Sequence, residues 1–299
     1  MDLQKIIDRI DAVTISENAA VTQLKHEEDG APYRVWRIDS DGNSYILKEA
    51  KGIEKDIYPY IRSAAEDCIP SLHQIIPFGG HTYLLMQYIE GADLCRCDRR
   101  KLTNGLDALI SLQQRTWGQQ TIDALEETYE KSLLQRQDRG NYLKDPLLEE
   151  AYRTFLEVYQ TVPRTLCHDD LLPFNIISSE HRAVLIDWEV GGILPYPASF
   201  ARLIAHAEEN PEALFYMTEA DKRFAIDYYY DQLLKDKGIS HSQWRDTLAY
   251  FLFYEYCEWV FVGNKYGTTD GEYYKKYLPM AKRQAEKILK LRMGKCSTP

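Results

Sequence analysis

The stretch Cys167-His168-Asp169-Asp170-Leu171-Leu172-Pro173-Phe174-Asn175-Ile176-Ile177, followed by Val184-Leu185-Ile186-Asp187-Trp188-Glu189, decides how the rest of the chain is read. Its two short apolar runs, Ile176-Ile177 and Val184 to Ile186, flank the polar Ser178-Ser179-Glu180-His181-Arg182, which is the pattern of a hairpin. Around it lie segments with apolar residues at spacings of three and four: Leu106 to Trp117, Ala124 to Asp138, Leu147 to Gln160, Asp221 to Asp236, Ser242 to Val262 and Tyr273 to Leu291. That periodicity predicts helices, so the hairpin is embedded in a helical body. Upstream of residue 90 the pattern differs. Ala20 to Lys25, Tyr33 to Asp39, Ser44 to Ala50, Gln74 to Phe78 and Tyr83 to Tyr88 read as strands, with Asp29-Gly30 and Asp41-Gly42-Asn43 as turns. Helices are expected over Met1 to Val13 and Gly52 to Ala65. The fold class is therefore α+β and bilobal: a small antiparallel β-sheet lobe over residues 1–90 and a large, mainly helical lobe over 91–299. A cleft is expected at the join, where ligand sites tend to lie.

Within the opening stretch His168, Asp170 and Asn175 form H-x-D-x-x-x-x-N, and Asp187 ends the second apolar run. A phosphoryl donor carrying Mg2+ needs hard oxygen ligands, which Asn175 and Asp187 can supply from opposite sides of a short hairpin. A hydroxyl acceptor needs a carboxylate to orient it and take its proton, a role open to Asp170. The plainer alternative makes Asp170 a turn cap and His168 a satisfied core histidine. The hairpin context, the aspartate at its end and a strand lysine upstream favour the chemical reading. A hydrolytic metal cluster of His168, Asp169 and Asp170 would need a second ligand group at matching spacing, and the sequence has none.

On these motifs the chain resembles the aminoglycoside phosphotransferase and choline kinase family, whose fold is protein-kinase-like. The resemblance covers nearly the whole chain, with its specific motifs between 168 and 189. It implies Asp170 as catalytic base, Asn175 and Asp187 as magnesium ligands, and His168 as a support for the loop. Glu189 closes the I-D-W-E run that stands where protein kinases carry D-F-G. Ser44-Tyr45-Ile46-Leu47-Lys48 is similar to the V-A-I-K strand, which implies that Lys48 holds the α and β phosphates. Glu54 is the candidate partner of Lys48, although the interval is shorter than in protein kinases; it can equally be a first-turn glutamate favoured by the helix dipole. Leu84 to Gly91 looks like the hinge, where backbone groups of Gln87, Tyr88 and Ile89 would meet adenine. The implied activity is transfer of the γ-phosphoryl group of ATP or GTP, with Mg2+, to a small-molecule hydroxyl. Leu172 stands where protein serine/threonine kinases place a lysine, and no A-P-E segment follows Asp187, which disfavours a protein acceptor.

Two departures from the family pattern matter. The loop expected to cover the phosphates, Lys25-His26-Glu27-Glu28-Asp29-Gly30, is acidic, and carboxylates beside a triphosphate cost Coulomb energy. That motivates an alternative, a catalytically weak kinase-like protein that binds nucleotide or ligand. Ser199 stands where the family commonly has an aspartate, and it is expected to cap the helix that follows.

For the acceptor, Glu255, Glu258 and Trp259 share one face of a long helix, a pairing of carboxylates and indole suited to a cation. Asp270, Glu272, Glu208 and Glu209 are further candidates. The competing reading is a core stripe with solvated glutamates. A cationic alcohol such as an aminoglycoside, an amino sugar or a choline-like amine fits the first. Charge agrees with these classes: 36 Lys and Arg against 46 Asp and Glu give −10, which argues against a nucleic-acid partner. The six cysteines are scattered and read as reduced thiols of a cytoplasmic protein. No apolar run approaches a membrane span. A monomer or weak dimer is expected.

Overall fold

The computed structural model describes residues 3–25, 30–120, 122 and 125–296. His26 to Asp29 of the acidic loop lie outside the described residues, as do Ala124 and the last three residues of the tail.

Five strands form one antiparallel sheet: β1 (Ala20–Lys25), β2 (Pro32–Ser40), β3 (Asn43–Glu49), β4 (Leu72–Phe78) and β5 (His81–Gln87), in the order β1-β2-β3-β5-β4. The β2–β3 turn uses Asp41 and Gly42 at φ 49° and 80°, the paired left-handed conformation that matches strand twist. Period-two alternation sends Tyr83 and Leu85 of β5 to one face, where they pack with Trp36, Ile38, Leu47 and Ile76 under Ile6 of a short helix α1 (Leu3–Ile7). Leu84 and Met86 point the other way, into the main core with Ile57, Tyr58 and Ile61 of helix α2 (Glu54–Ala65). Both faces are covered, which is why β5 reads as a nearly continuous apolar run. Lys48 lies directly opposite Leu84 in the β3–β5 register, so it faces α2. The first helix is much shorter than the expected Met1 to Val13. Gln74 of β4 takes the amides of Asp11 and Ala12 and donates to the carbonyl of Arg9, drawing that backbone away from helical pairing.

Beyond residue 90 the chain is mainly helical: α3 (Arg99–Arg115), α4 (Thr128–Gly140), α5 (Pro146–Thr161), α6 (Pro197–Ala205), α7 (Glu219–Tyr229), α8 (His241–Tyr266) and α9 (Glu272–Cys296). Side-chain caps set several starts. Asp98 accepts from Lys101 N ahead of α3, and Ser240 with Gln243 forms a capping box ahead of α8. Helix α3 therefore begins seven residues before the apolar periodicity does. The segment expected as one helix from Asp221 to Asp236 is α7 followed by a wider turn at Tyr230–Leu234 and a tight one at Lys235–Lys237. Short strands complete the lobe: β6 (Ala92–Asp93), β8 (Ile176–Ser178) and β9 (Ala183–Leu185) in one sheet, β7 (Arg164–Cys167) and β10 (Gly192–Pro195) in another. The 176–186 hairpin thus forms as expected, and the chain leaving the small sheet pairs onto it through β6. Many of the aromatic residues form the core between α4, α5 and α8, as in the stacks Tyr129–Tyr159 and Phe155–Tyr254. Among the described residues no helix is long and apolar enough to cross a membrane.

Candidate active site

The loop after β7 carries His168, Asp169 and Asp170, and it is shaped by bonds from three directions. Ser199, the third residue of α6, accepts the His168 amide at 2.8 Å. The expectation that Ser199 caps α6 is therefore corrected: Tyr196 holds the cap position without a side-chain bond, and the buried hydroxyl of Ser199 is aimed at the loop instead. His168 is fully buried against the Trp188 ring, with centroids 4.6 Å apart, and its Nε2 bonds the Ile186 carbonyl at 2.6 Å. Burial lowers its pKa, so it stays neutral and its Nε2–H is the donor. The Asn175 amide donates to the Leu172 carbonyl at 2.9 Å, its side-chain Nδ2 donates to the Asp170 carbonyl at 2.9 Å, and the Asn175 carbonyl accepts the Ile186 amide at 3.0 Å. These bonds lock the catalytic-type loop to the strand that delivers Asp187.

Asp169 and Asp187 both adopt left-handed backbone, φ 58° and 65°. Non-glycine residues there carry strain that only surrounding structure sustains, and such strain clusters at functional sites. For Asp169 the support is the ion pair to Arg136 at 2.6 Å, whose buried guanidinium lies against the rings of Tyr159 and Tyr254. Burial pushes the Asp169 carboxyl up, and Arg136 opposes that shift.

Asp187 meets the small sheet. Lys48 Nζ lies 2.6 Å from Asp187 Oδ1 and 2.6 Å from Glu54 Oε1, while Glu54 Oε2 accepts the Lys51 amide at 3.0 Å. The two expectations for Glu54 thus hold together in geometry: it pairs with Lys48 and it closes the first turn of α2. Burial works against charge on Lys48, but the two carboxylates outweigh it and raise its pKa. Glu54, with no solvent exposure, is pushed up by burial against the pull of Lys48. We take the pair as ionic, because the ammonium bridges two carboxylates and Glu54 also receives a backbone amide. Glu189 meets the small lobe through its backbone. Its carbonyl accepts Ile53 N at 3.3 Å, and Gly52, at φ 50°, allows this approach, since a Cβ there would stand 2.0 Å from that oxygen. The Glu189 side chain is half-exposed, 3.8 Å from Lys51.

Two amides of the hinge candidates are engaged within the protein. The Gln87 amide donates to Ser71 O and the Tyr88 amide to Ser44 O, so neither points to a ligand. Of the three, the Ile89 amide is the one not taken up by these bonds. The side chains of all three are half-buried.

On the acceptor side the structure changes the meaning of the carboxylates. Glu255, 4% exposed, and Glu258 both accept from Arg202 of α6, and Glu258 also faces Arg139 at 3.6 Å. Burial opposes ionisation of Glu255, but Arg202 and His206 prevail and hold its carboxyl below the usual range. Glu255 and Glu258 are therefore not a vacant anionic pair. Trp259 stacks on Tyr273 at 4.3 Å with Tyr277 alongside, an aromatic wall of α8 and α9 next to these groups. Glu208 pairs with Lys276, Glu209 accepts the Glu219 amide, and Asp270 and Glu272 are exposed on the surface. Sequence reasoning missed Arg202, Arg136 and His206. For Arg202 a signal existed: it is the one charged side chain in the nine-residue apolar helix PASFARLIA.

Asn175 and Asp187 each present a hard oxygen donor of the kind Mg2+ takes. The Asn175 amide is oriented by its Nδ2 bond, which leaves its oxygen for a cation, and the Asp187 carboxylate is 44% exposed. The residues present fit such an ion.

Protein LicA of Haemophilus influenzae is 25% identical over 142 residues, which cover 47% of this chain and 51% of that protein. The chain thus matches about half the length of this curated relative. A choline/ethanolamine kinase family protein from Mesorhizobium loti superposes with a TM-score of 0.60 at 13% identity, over 94% of this chain and 90% of that one. Spectinomycin phosphotransferase in complex with ADP and spectinomycin superposes with a TM-score of 0.51 at 14% identity, over 89% and 88%. The family described as phosphotransferase enzyme family matches residues 24–229. With that span and the protein-kinase-like fold of aminoglycoside phosphotransferases and choline kinases, the chain belongs to the phosphotransferase enzyme family.

Proposed function

We propose that this protein is a small-molecule kinase that transfers the γ-phosphoryl group of ATP or GTP to a hydroxyl of a small, cationic alcohol. One observation carries the reading: Lys48, Glu54 and Asp187 form one ionic network at the junction of sheet and helical lobe, bonded through Asn175 and Ile186 to the loop of Asp170. Lys48 would leave Asp187 for the donor phosphates, and the Ile89 backbone would meet the base. Mg2+, held by Asn175 and Asp187, would neutralise charge on the transferring phosphates. Asp170, 37% exposed, would take the acceptor's proton. As the acceptor oxygen bonds the γ-phosphorus, the bond to the bridging oxygen breaks, and its electron pair leaves with the nucleoside diphosphate. The aromatic wall of Trp259 and Tyr273 supports a cationic acceptor, as do the kinases of choline and ethanolamine among the structural neighbours.

The test is a coupled ADP-release assay with choline, ethanolamine and spectinomycin as acceptors. Asp170→Ala should lower kcat by about 100-fold or more while Mg-ATP affinity is kept, and Asp187→Ala should abolish turnover. Full activity of Asp170→Ala on a responsive acceptor would remove Asp170 from the reaction. The alternative, a kinase-like binding protein, predicts nucleotide binding with no turnover of any acceptor.

A further inference from the structure

Asp170 is held by a side chain that belongs to no motif. Arg202 Nε donates to Asp170 Oδ1 at 2.9 Å, and Nη2 lies 2.9 Å from the same oxygen. On its other edge Nη1 donates to Glu255 Oε2 at 3.0 Å, to Glu258, and meets His206 Nε2 at 3.1 Å. The arginine side chain is 15% exposed and Glu255 5%. One planar fork thus ties the loop after β7 to α8 through α6.

We propose that Arg202 is the positioning residue of the phosphoryl-transfer site: anchored by Glu255 and Glu258, it fixes Asp170 Oδ1 and leaves Oδ2 to receive the acceptor hydroxyl. The inference rests on the reading of Asp170 as base. A carboxylate on a loop offers two equivalent oxygens and a soft terminal torsion. Two donors on one oxygen remove that equivalence and define one direction of approach. Neutralising a buried arginine takes a single carboxylate, whereas this one sits among three, two behind it on α8 and the third on the loop. The fork matters because a guanidinium can donate along both edges at once, and an ammonium cannot span them. The role of Glu255 and Glu258 follows: they hold Arg202, and selection of an acceptor's cation falls to the aromatic wall beside them.

The test compares Arg202→Lys and Arg202→Met with the parent protein in the ADP-release assay, on whichever of choline, ethanolamine and spectinomycin is turned over. Positioning predicts that kcat falls by about 30- to 100-fold in both, with KM for Mg-ATP and for the acceptor within about two-fold. Added guanidinium ion should restore part of the rate of Arg202→Ala, which a merely structural loss would not permit. Arg202→Lys keeps the charge and guards against a folding failure in Arg202→Met. A second arm needs no acceptor: the Arg202 Nε–H resonance should be shifted and protected from exchange in the parent protein, and lose both in Asp170→Ala. Unchanged kcat, a loss confined to acceptor KM, a rise in rate, or an Nε–H indifferent to Asp170→Ala would each overturn the proposal. If none of the three acceptors is turned over, the kinase reading falls on that result, and the resonance alone decides whether Arg202 holds Asp170.

Discussion

Gly52→Ala isolates the contact on which the loop after Asp187 is seated. A Cβ at residue 52 would stand 2.0 Å from the Glu189 carbonyl oxygen and 2.9 Å from its carbon, and the backbone φ is 50°. To reach ordinary van der Waals contact the Glu189 backbone must retreat by about 1.4 Å, because packed interiors yield little. That retreat breaks the 3.3 Å bond from Ile53 N to Glu189 O. Left-handed backbone at alanine costs about 1 kcal/mol, the lost bond about 1 kcal/mol, and the forced shift about 1–3 kcal/mol. We therefore expect a loss of about 3–5 kcal/mol in urea denaturation. Glu189 lies two residues after Asp187, so displacement should also lower kcat by about 100-fold, the usual consequence of an ångström-scale misplacement. Gly42→Ala is the matched control: its φ is 80°, but nothing lies within 4 Å of the added carbon. It should lose about 1 kcal/mol through backbone strain alone, with unchanged turnover. If Gly52→Ala and Gly42→Ala unfold at the same urea concentration and turn over equally, the seating contact has been misread.

Lys48→Met strands the buried Glu54 carboxylate and should cost about 3–5 kcal/mol, with much of it recovered in Lys48→Met/Glu54→Gln; urea denaturation of the two variants checks this, and equal stability of single and double variants would refute the ion pair. Burial pushes the Cys68 thiol up to about 11, the Cys167 thiol to about 12 and the Tyr254 phenol to about 12. A group raised on folding stabilises fully below its unfolded pKa and loses that contribution as pH climbs toward the folded value. Stability should therefore decline from about pH 9 upward, by up to about 1.4 kcal/mol per pH unit for each group held neutral. Urea midpoints across that range should fall, and less steeply in Cys167→Ala; a flat profile would contradict the burial of these groups.

Much of the fold is legible locally, for reasons that particular elements make plain. Asp41-Gly42 needs no distant partner to form its turn, and the helix from Pro146 carries its cap Asp145 and its proline next to it in sequence. Where the signal was not local, reading failed. Gln74 shortens the first helix from more than sixty residues away, and β7 and β10, four residues each, pair across an intervening hairpin too long for any periodicity to reveal.

The sequence by itself determined the two-lobed α+β class, the hairpin at 176–186 and the identity of the candidate groups Asp170, Asn175, Asp187 and Lys48, because spacing along the chain and turn chemistry are short-range properties. Only the tertiary structure decided their partners. Lys48 meets Asp187 139 residues away, Ser199 turns from helix cap to loop support, and Glu255 and Glu258 pair with Arg202, which also bonds Asp170. The physical reason is that a buried charge must find a counter-charge wherever packing brings one, and packing is settled by the apolar faces of helices far apart in sequence.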